Sequence, residues 1–258
     1  MPSADDFMRY YLSILRRATI LHLLQWSRYR ADTVIWTITI WLTLGIQGLF
    51  LSVTYHASGG NLFGYSGQEV IGFFGVALMA TGLAQSITVG VIRTISKAVW
   101  GGNFDHWLLQ PPPILFRIVT EELGFIWYWP HVVVGTGIIL YAFPFTLWPV
   151  ALISAIIAGT IEMGIVLLLC LPTIRWGRWN PYEGLWEYIE NARSVPIGRS
   201  RNIMLWLASF GVLQYSLALE VITGRLPLLL LLLFSAGVWA LVLLLLRIFL
   251  RSYGSASS

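Results

Sequence analysis

Four long stretches of this sequence contain no Asp, Glu, Lys or Arg: Thr33–Gln68, Val70–Ile92, Leu123–Ile161 and Leu226–Leu246. Water-soluble folds are not built that way. Ordinary domains carry about 25% charged residues, whereas only 11% of these 258 residues are charged and 57% are hydrophobic. An apolar tract of roughly 18 residues or more reads as a helix crossing a bilayer, because inside lipid every backbone N–H and C=O must be paired within its own segment. The chain is therefore expected to be an all-α, polytopic membrane protein. Disordered, collagen-like, disulfide-rich secreted and nucleic-acid-binding classes are excluded, despite a formal charge of +4 and a pI near 9.4.

Apolar windows and their flanking charges place six spans, at about 32–54, 69–92, 119–142, 149–171, 203–222 and 227–246. The fifth is short and sprinkled with Ser209, Gln214 and Ser216, with Glu220 and Arg225 following. It reads either as a full crossing or as a broken, re-entrant hairpin surrounded by protein or water. Of the 16 Lys and Arg, all but Arg225 fall before span one, after spans two and four, or in the tail. Basic loops stay on the cytoplasmic side, so both termini and the two longer loops are expected there. Trp36, Trp41, Trp127, Trp129, Trp148 and Trp176 lie mostly near span ends, as interfacial anchors do. Asp5 and Asp6 open the chain and the long apolar tracts begin only at Thr33, so no cleavable signal is expected. A single transmembrane domain over residues 1–258 is expected, since no segment between spans approaches the roughly 100 residues of a folded domain. Cys170 is the one cysteine, and His22, His56, His106 and His131 are scattered, so neither a disulfide nor a metal site is expected.

Three extramembrane elements carry pattern. In residues 1–31, Ser3 and Asp6 suggest a helix cap, and Phe7, Tyr11, Ile14, Ala18 and Leu21 form a stripe that Arg9, Arg16 and Arg17 avoid. Such a helix lies along the membrane, its arginines on anionic headgroups, as a lipid anchor or as a docking element. The second element is the run from Trp100 to Pro113, WGGNFDHWLLQPPP. Gly101 and Gly102 turn the chain, Asn103 and Asp105 favour a helix start, and Pro111 stops it after about two turns. Phe104, Trp107 and Leu108 share a face that something must cover, either bilayer headgroups or the groove of a partner protein. The third, Arg175 to Ser194, starts a helix at Asn180–Pro181 with Tyr182, Leu185, Trp186 and Ile189 on one face and Glu183, Glu187 and Glu190 on another. Its acidic face reads as solvated surface or as a second contact for a basic partner.

Glu162 is the one carboxylate well inside an expected span. A charge at the bilayer centre costs about 2.5–3.5 kcal/mol on insertion scales. It is therefore expected either to fix helix packing as a hydrogen-bonded acid, with Gln85, Thr160 or Thr81 as partners, or to line a transport pathway. Glu121 and Glu122 read as helix N-terminal charges near Arg117.

Six spans, an N-terminal interfacial helix and a short helix after span two resemble the permease subunits of ABC-2 type (type 2) ABC exporters of bacteria. The hallmark is a glycine followed by Asp, Leu and Pro, standing here as Gly102, Asp105, Leu108, Leu109 and Pro111. The resemblance implies that Asn103, Phe104, Asp105, His106, Trp107, Leu108 and Leu109 form a coupling helix in a groove of an ABC ATPase subunit. It further implies a substrate pathway shared with a second permease, identical or homologous, and a multi-pass place in the bacterial inner (plasma) membrane among its lipids. An external hairpin before the last span, around Gly211 to Arg225, and substrates drawn from drugs, lipids, glycans and peptides are implied too. ATP and Mg would then be bound by the partner, and this chain would hold no cofactor and catalyse nothing. In agreement, no GxxxxGK[ST] phosphate loop is present, and Lys97 is the only lysine. The competing readings are a membrane-embedded enzyme, for which Ser58 beside His56 lacks an orienting acid, and a noncatalytic scaffold or vitamin-uptake component.

Overall fold

The computed structural model of the protein describes residues 4–60, 62, 64–109, 113–120, 125–176 and 213–253. Among these, every regular element is a helix apart from a single bridge between Leu62 and Tyr65. The elements are α1 Ala4–Arg28, α2 Arg30–Ala57, α3 Gly67–Thr88, α4 Val91–Trp100, α5 Asn103–Leu109, α6 Ile114–Thr120, α7 Phe125–Ala142, a 3-10 turn Phe145–Leu147, α8 Trp148–Cys170, α9 Thr173–Trp176, α10 Leu213–Ile222 and α11 Leu228–Arg251. Ser3, Pro111, Glu121, Glu122, residues 177–194 of the third extramembrane element and residues 203–212 of the fifth expected span lie outside the described residues.

Among the described residues, four stretches are long and apolar enough to cross a membrane: Arg30–Ala57, Gly67–Thr88, Phe145–Trp176 and Leu228–Arg251. Helices α7 and α10 occupy the third and fifth expected spans. The chain is thus a multi-pass helical membrane protein.

Helix α3 sits at the centre, and its composition explains why. Lipid tails are as apolar as leucine, so helices associate in membranes through close backbone approach and hydrogen bonds rather than through hydrophobic burial. Small residues recur along α3, at Gly72, Gly75, Ala77, Ala80, Gly82 and Ala84, and all are buried. Facing them are Gly135 of α7 and Gly159 of α8. A Cβ on Gly135 would lie 2.4 Å from the Met79 nitrogen and 2.7 Å from the Gly75 oxygen, and one on Gly159 would lie 2.9 Å from the Ala80 oxygen. Both helices therefore rest backbone against backbone on α3. On the periphery the pattern is inverted: α2 exposes Ile35, Leu42, Ile46 and Leu49, and α11 exposes Leu230, Leu233 and Leu244, the surfaces that lipid solvates. Only Ile40, Leu44 and Leu51 of α2 are buried.

Both ends of α3 are set locally. At its start the sequence Ser66-x-x-Glu69 closes a capping box: Ser66 Oγ accepts from the Glu69 N–H at 3.4 Å, and Glu69 Oε2 accepts from the Ser66 N–H at 2.7 Å. At its end the structure corrects the expected limit of 92. The helix stops at Thr88 and restarts at Val91, with Gly90, a weak helix former, at the joint. Ser86 and Thr88 donate back to the carbonyls of Gly82 and Ala84, an arrangement that bends helices. Conversely, α11 continues past the expected limit of 246 to Arg251, whose charge in the last turn complements the helix dipole.

Candidate functional site

The structure brings the expected coupling segment together at one end of the bundle. Helix α4 is amphipathic and buries Val91, Ile95, Ala98 and Val99. Gly102 then reverses the chain at φ +70°, a left-handed conformation that glycine adopts without strain. The seven residues of α5 follow, from Asn103 to Leu109. A helix this short holds only by tertiary packing, and Phe104 and Trp107 supply it. Phe104 is 0% exposed, its ring 6.1 Å from Trp107 and 4.9 Å edge-on to Tyr253 beyond α11. Both belong to a buried cluster with Ile95 of α4, Ile118 of α6, Leu167 of α8 and Leu246 of α11.

This corrects the expectation for the apolar face. Phe104 and Trp107 are covered by their own chain, not by headgroups or a partner. Spacing showed that they share a face but could not say which body lies against it. What α5 leaves outward is the opposite side: Asn103 and His106 are exposed, Leu109 is 84% exposed, Asp105 is half-buried, and Leu108 is exposed at the edge. Trp100, at the end of α4, is exposed beside them. Helix α1 also reaches this end, where the Tyr11 ring meets Phe116 of α6 edge-on at 4.6 Å. On α1, Tyr11, Ile14 and Ala18 of the expected stripe are half-buried, while Leu21, Arg9, Arg16 and Arg17 are exposed.

Glu162 lies in the interior of α8 at 2% exposure. Its Oε2 accepts a short hydrogen bond from the Tyr215 hydroxyl and a longer one, 3.4 Å, from Thr81 Oγ1; the two hydroxyls are 3.0 Å apart. Three helices, α3, α8 and α10, are joined through this acid. Thr81 was an expected partner. Thr160 instead donates to the Ile157 carbonyl and shares a 3.1 Å hydrogen bond with Ser235 of α11. Tyr215 was missed, since a tyrosine in a polar-sprinkled segment carries no spacing signal toward a residue 53 positions away. Missed as well was the grouping of Tyr65, Glu69, Glu220 and Arg225 at the opposite end from α5; the pattern Ser66-x-x-Glu69, a capping signature, was the one local signal there and was not read.

A sequence model of the ABC-2 family transporter proteins matches residues 41–257. The chain belongs to the ABC-2 transporter family. No curated protein and no solved structure matches it. Membership makes this chain a membrane-embedded transport permease rather than a catalyst in its own right, of a kind that works with ATPase subunits. Within this ABC-2 permease the matched region takes in the buried Glu162 site and all of α5, and begins inside α2.

Proposed function

We propose that the chain is one permease of an ABC exporter: six spans, both termini and the α5 end in the cytoplasm of a bacterial inner membrane, and a substrate pathway shared with a second, identical or homologous permease. Separate ATPase subunits bind ATP and Mg and drive the cycle. The export direction rests on the resemblance in the loop after span two. The observation that carries the reading is the two-sided build of α5, whose aromatic inner face is locked into the chain and whose outer face, Asn103, His106 and Leu109, is bare. Leu109, Leu108 and Trp100 are exposed together at this end, and a contiguous apolar patch of this kind marks a contact surface.

This arrangement makes α5 a rigid transmitter. An ATPase gripping the outer face would displace α5, and Phe104 and Trp107 would carry that displacement to the cluster that joins α4, α8 and α11. Closely packed interiors pass on such shifts because they are poorly compressible. In this reading Asp105 and Leu108 flank the contact, and Glu162 serves as a hydrogen-bonded packing acid beside the pathway.

The test is purification in mild detergent from cells expressing the native genomic neighbours. A stoichiometric ATP-binding subunit with vanadate-sensitive hydrolysis is expected. Replacing both His106 and Leu109 with Glu should release that subunit while leaving the permease's own melting temperature unchanged. Retention of the subunit by this variant would sink docking through α5.

A further inference from the structure

At the end of the bundle opposite α5, the turn between α10 and α11 is fastened to the start of α3. Arg225 of the turn forms an ion pair with Glu69 of α3, and its second nitrogen lies 3.5 Å from Glu220 at the end of α10. The Tyr65 hydroxyl donates to Glu220 Oε1 at 2.6 Å, and the Arg225 guanidinium stands 5.5 Å above the Tyr65 ring. By its place between spans five and six, Arg225 is also the one basic residue that the sequence assigns to the non-cytoplasmic side.

We propose that Glu69, Arg225, Glu220 and Tyr65 form a reversible clasp that holds the α10–α11 turn shut over the outer end of the bundle. The proposal rests on the permease reading for its orientation and purpose. Three features make it a clasp and not a fixed strut. The turn is a preformed unit: the N–H groups of Arg225 and Leu226 both donate to the Glu220 carbonyl, at 2.8 and 3.1 Å, and Gly224 takes φ +73°. Glu220 and Arg225 therefore move together, still paired. On the other side, Glu69 keeps its two hydrogen bonds with Ser66 when Arg225 leaves. Opening breaks the Arg225–Glu69 and Tyr65–Glu220 links and lifts the guanidinium off the Tyr65 ring, but Arg225 stays beside Glu220 and no charge is stranded, which is the costly outcome for an ion pair. Finally, the pairs are partly exposed, with side chains 31%, 18% and 15% accessible for Arg225, Glu69 and Glu220, so water can replace the broken bonds. Helix α10 also carries Tyr215 about 7.5 Å, or five residues, from Glu220, so a swing of the turn pulls on the bond to Glu162.

The test uses the full chain with its native neighbours, Cys170→Ala, and a reporter Ile222→Cys, a position buried at the end of α10 next to the turn. Membrane fragments open on both sides are treated with a charged maleimide and the labelling rate is followed. Glu69→Gln and Arg225→Gln are each expected to speed labelling about two- to fivefold, the bias that a partly exposed ion pair supplies. Arg225→Lys should restore a slow rate. A second reporter, Ile174→Cys, buried at the α5 end, should stay slow in every variant. Unchanged rates at Ile222→Cys in both Gln variants overturn the clasp, and so does acceleration at both reporters, which means unfolding. Labelling requires no nucleotide and no ATPase, so the absence of an ATPase partner would refute the permease reading while leaving this result standing.

Discussion

Truncation of Phe104 separates the two faces of α5. Its ring is fully enclosed, packed on Trp107 and Tyr253 within a buried cluster that includes Ile95, Ile118 and Leu246. Removing a buried aromatic ring costs about 3–5 kcal/mol, partly in lost transfer energy and partly in the cavity left behind. The upper end is expected, because α5 has seven residues and only Trp107 besides Phe104 is buried in it. For a chain of this size that corresponds to a fall in melting temperature of roughly 10 °C. Leu109→Ala removes a side chain that is 84% exposed and should change stability by no more than about 0.5 kcal/mol. The assay is fluorescence-detected size exclusion of the heated, detergent-solubilised chain, run with each variant alone and with the ATPase. Phe104→Ala should melt early whether or not an ATPase is present, and Leu109→Ala should melt normally yet hold the ATPase less well. If Phe104→Ala melted like the parent while Leu109→Ala melted early, the assignment of inner and outer faces would be wrong.

Gly135→Ala should disrupt the α3–α7 seam, since its Cβ would meet backbone atoms that cannot yield, whereas Gly137→Ala, with nothing within 4 Å, should be silent; equal expression and melting of the two would refute backbone contact there. Glu162→Gln retains an acceptor for Tyr215 and Thr81 and should stay close to the parent in stability and in the pH profile of transport. Glu162→Leu leaves the two hydroxyls only each other, 3.0 Å apart, so one donor loses its acceptor at about 1–3 kcal/mol; equal losses in both variants, or an altered pH profile in Glu162→Gln, would show that the ionisable group itself is needed. Ser66→Ala should cost about 1 kcal/mol by opening the capping box, read as a lower melting temperature, and a variant that melts with the parent would deny the cap a role.

Sequence reasoning reached what charge and spacing encode. The long apolar helices fall where charge is sparse, because the bilayer penalises each Asp, Glu, Lys and Arg separately. The bounds of α5 were legible because Gly102 and the polar cap residues act locally. Direction was not. Phe104 and Trp107 are equally apolar whether a partner or their own chain covers them, and Tyr253, which meets Phe104, lies 149 positions further along. The break at Gly90 was hidden for a related reason: Val91 and Ile92 are as apolar as the span they follow, so hydropathy alone carries the helix through it. Glu162 could be flagged as unusual from its position, but its ties to Tyr215 and Thr81 depend on how α10 and α3 are turned in the bundle. In a lipid-embedded helix that is apolar all round, hydropathy does not report rotation.

The central position of α3 has a consequence for biogenesis. Helices α7, α8 and α10, which enclose it, all emerge from the ribosome later than α3 does. Until they arrive, the nascent α3 must wait in lipid or in the grip of an insertase, with Thr81, Gln85 and its backbone groove uncovered. Chains halted before α7 should thus be recognised as unfinished and degraded, while α2, which lends little to the interior, can take its place early and alone.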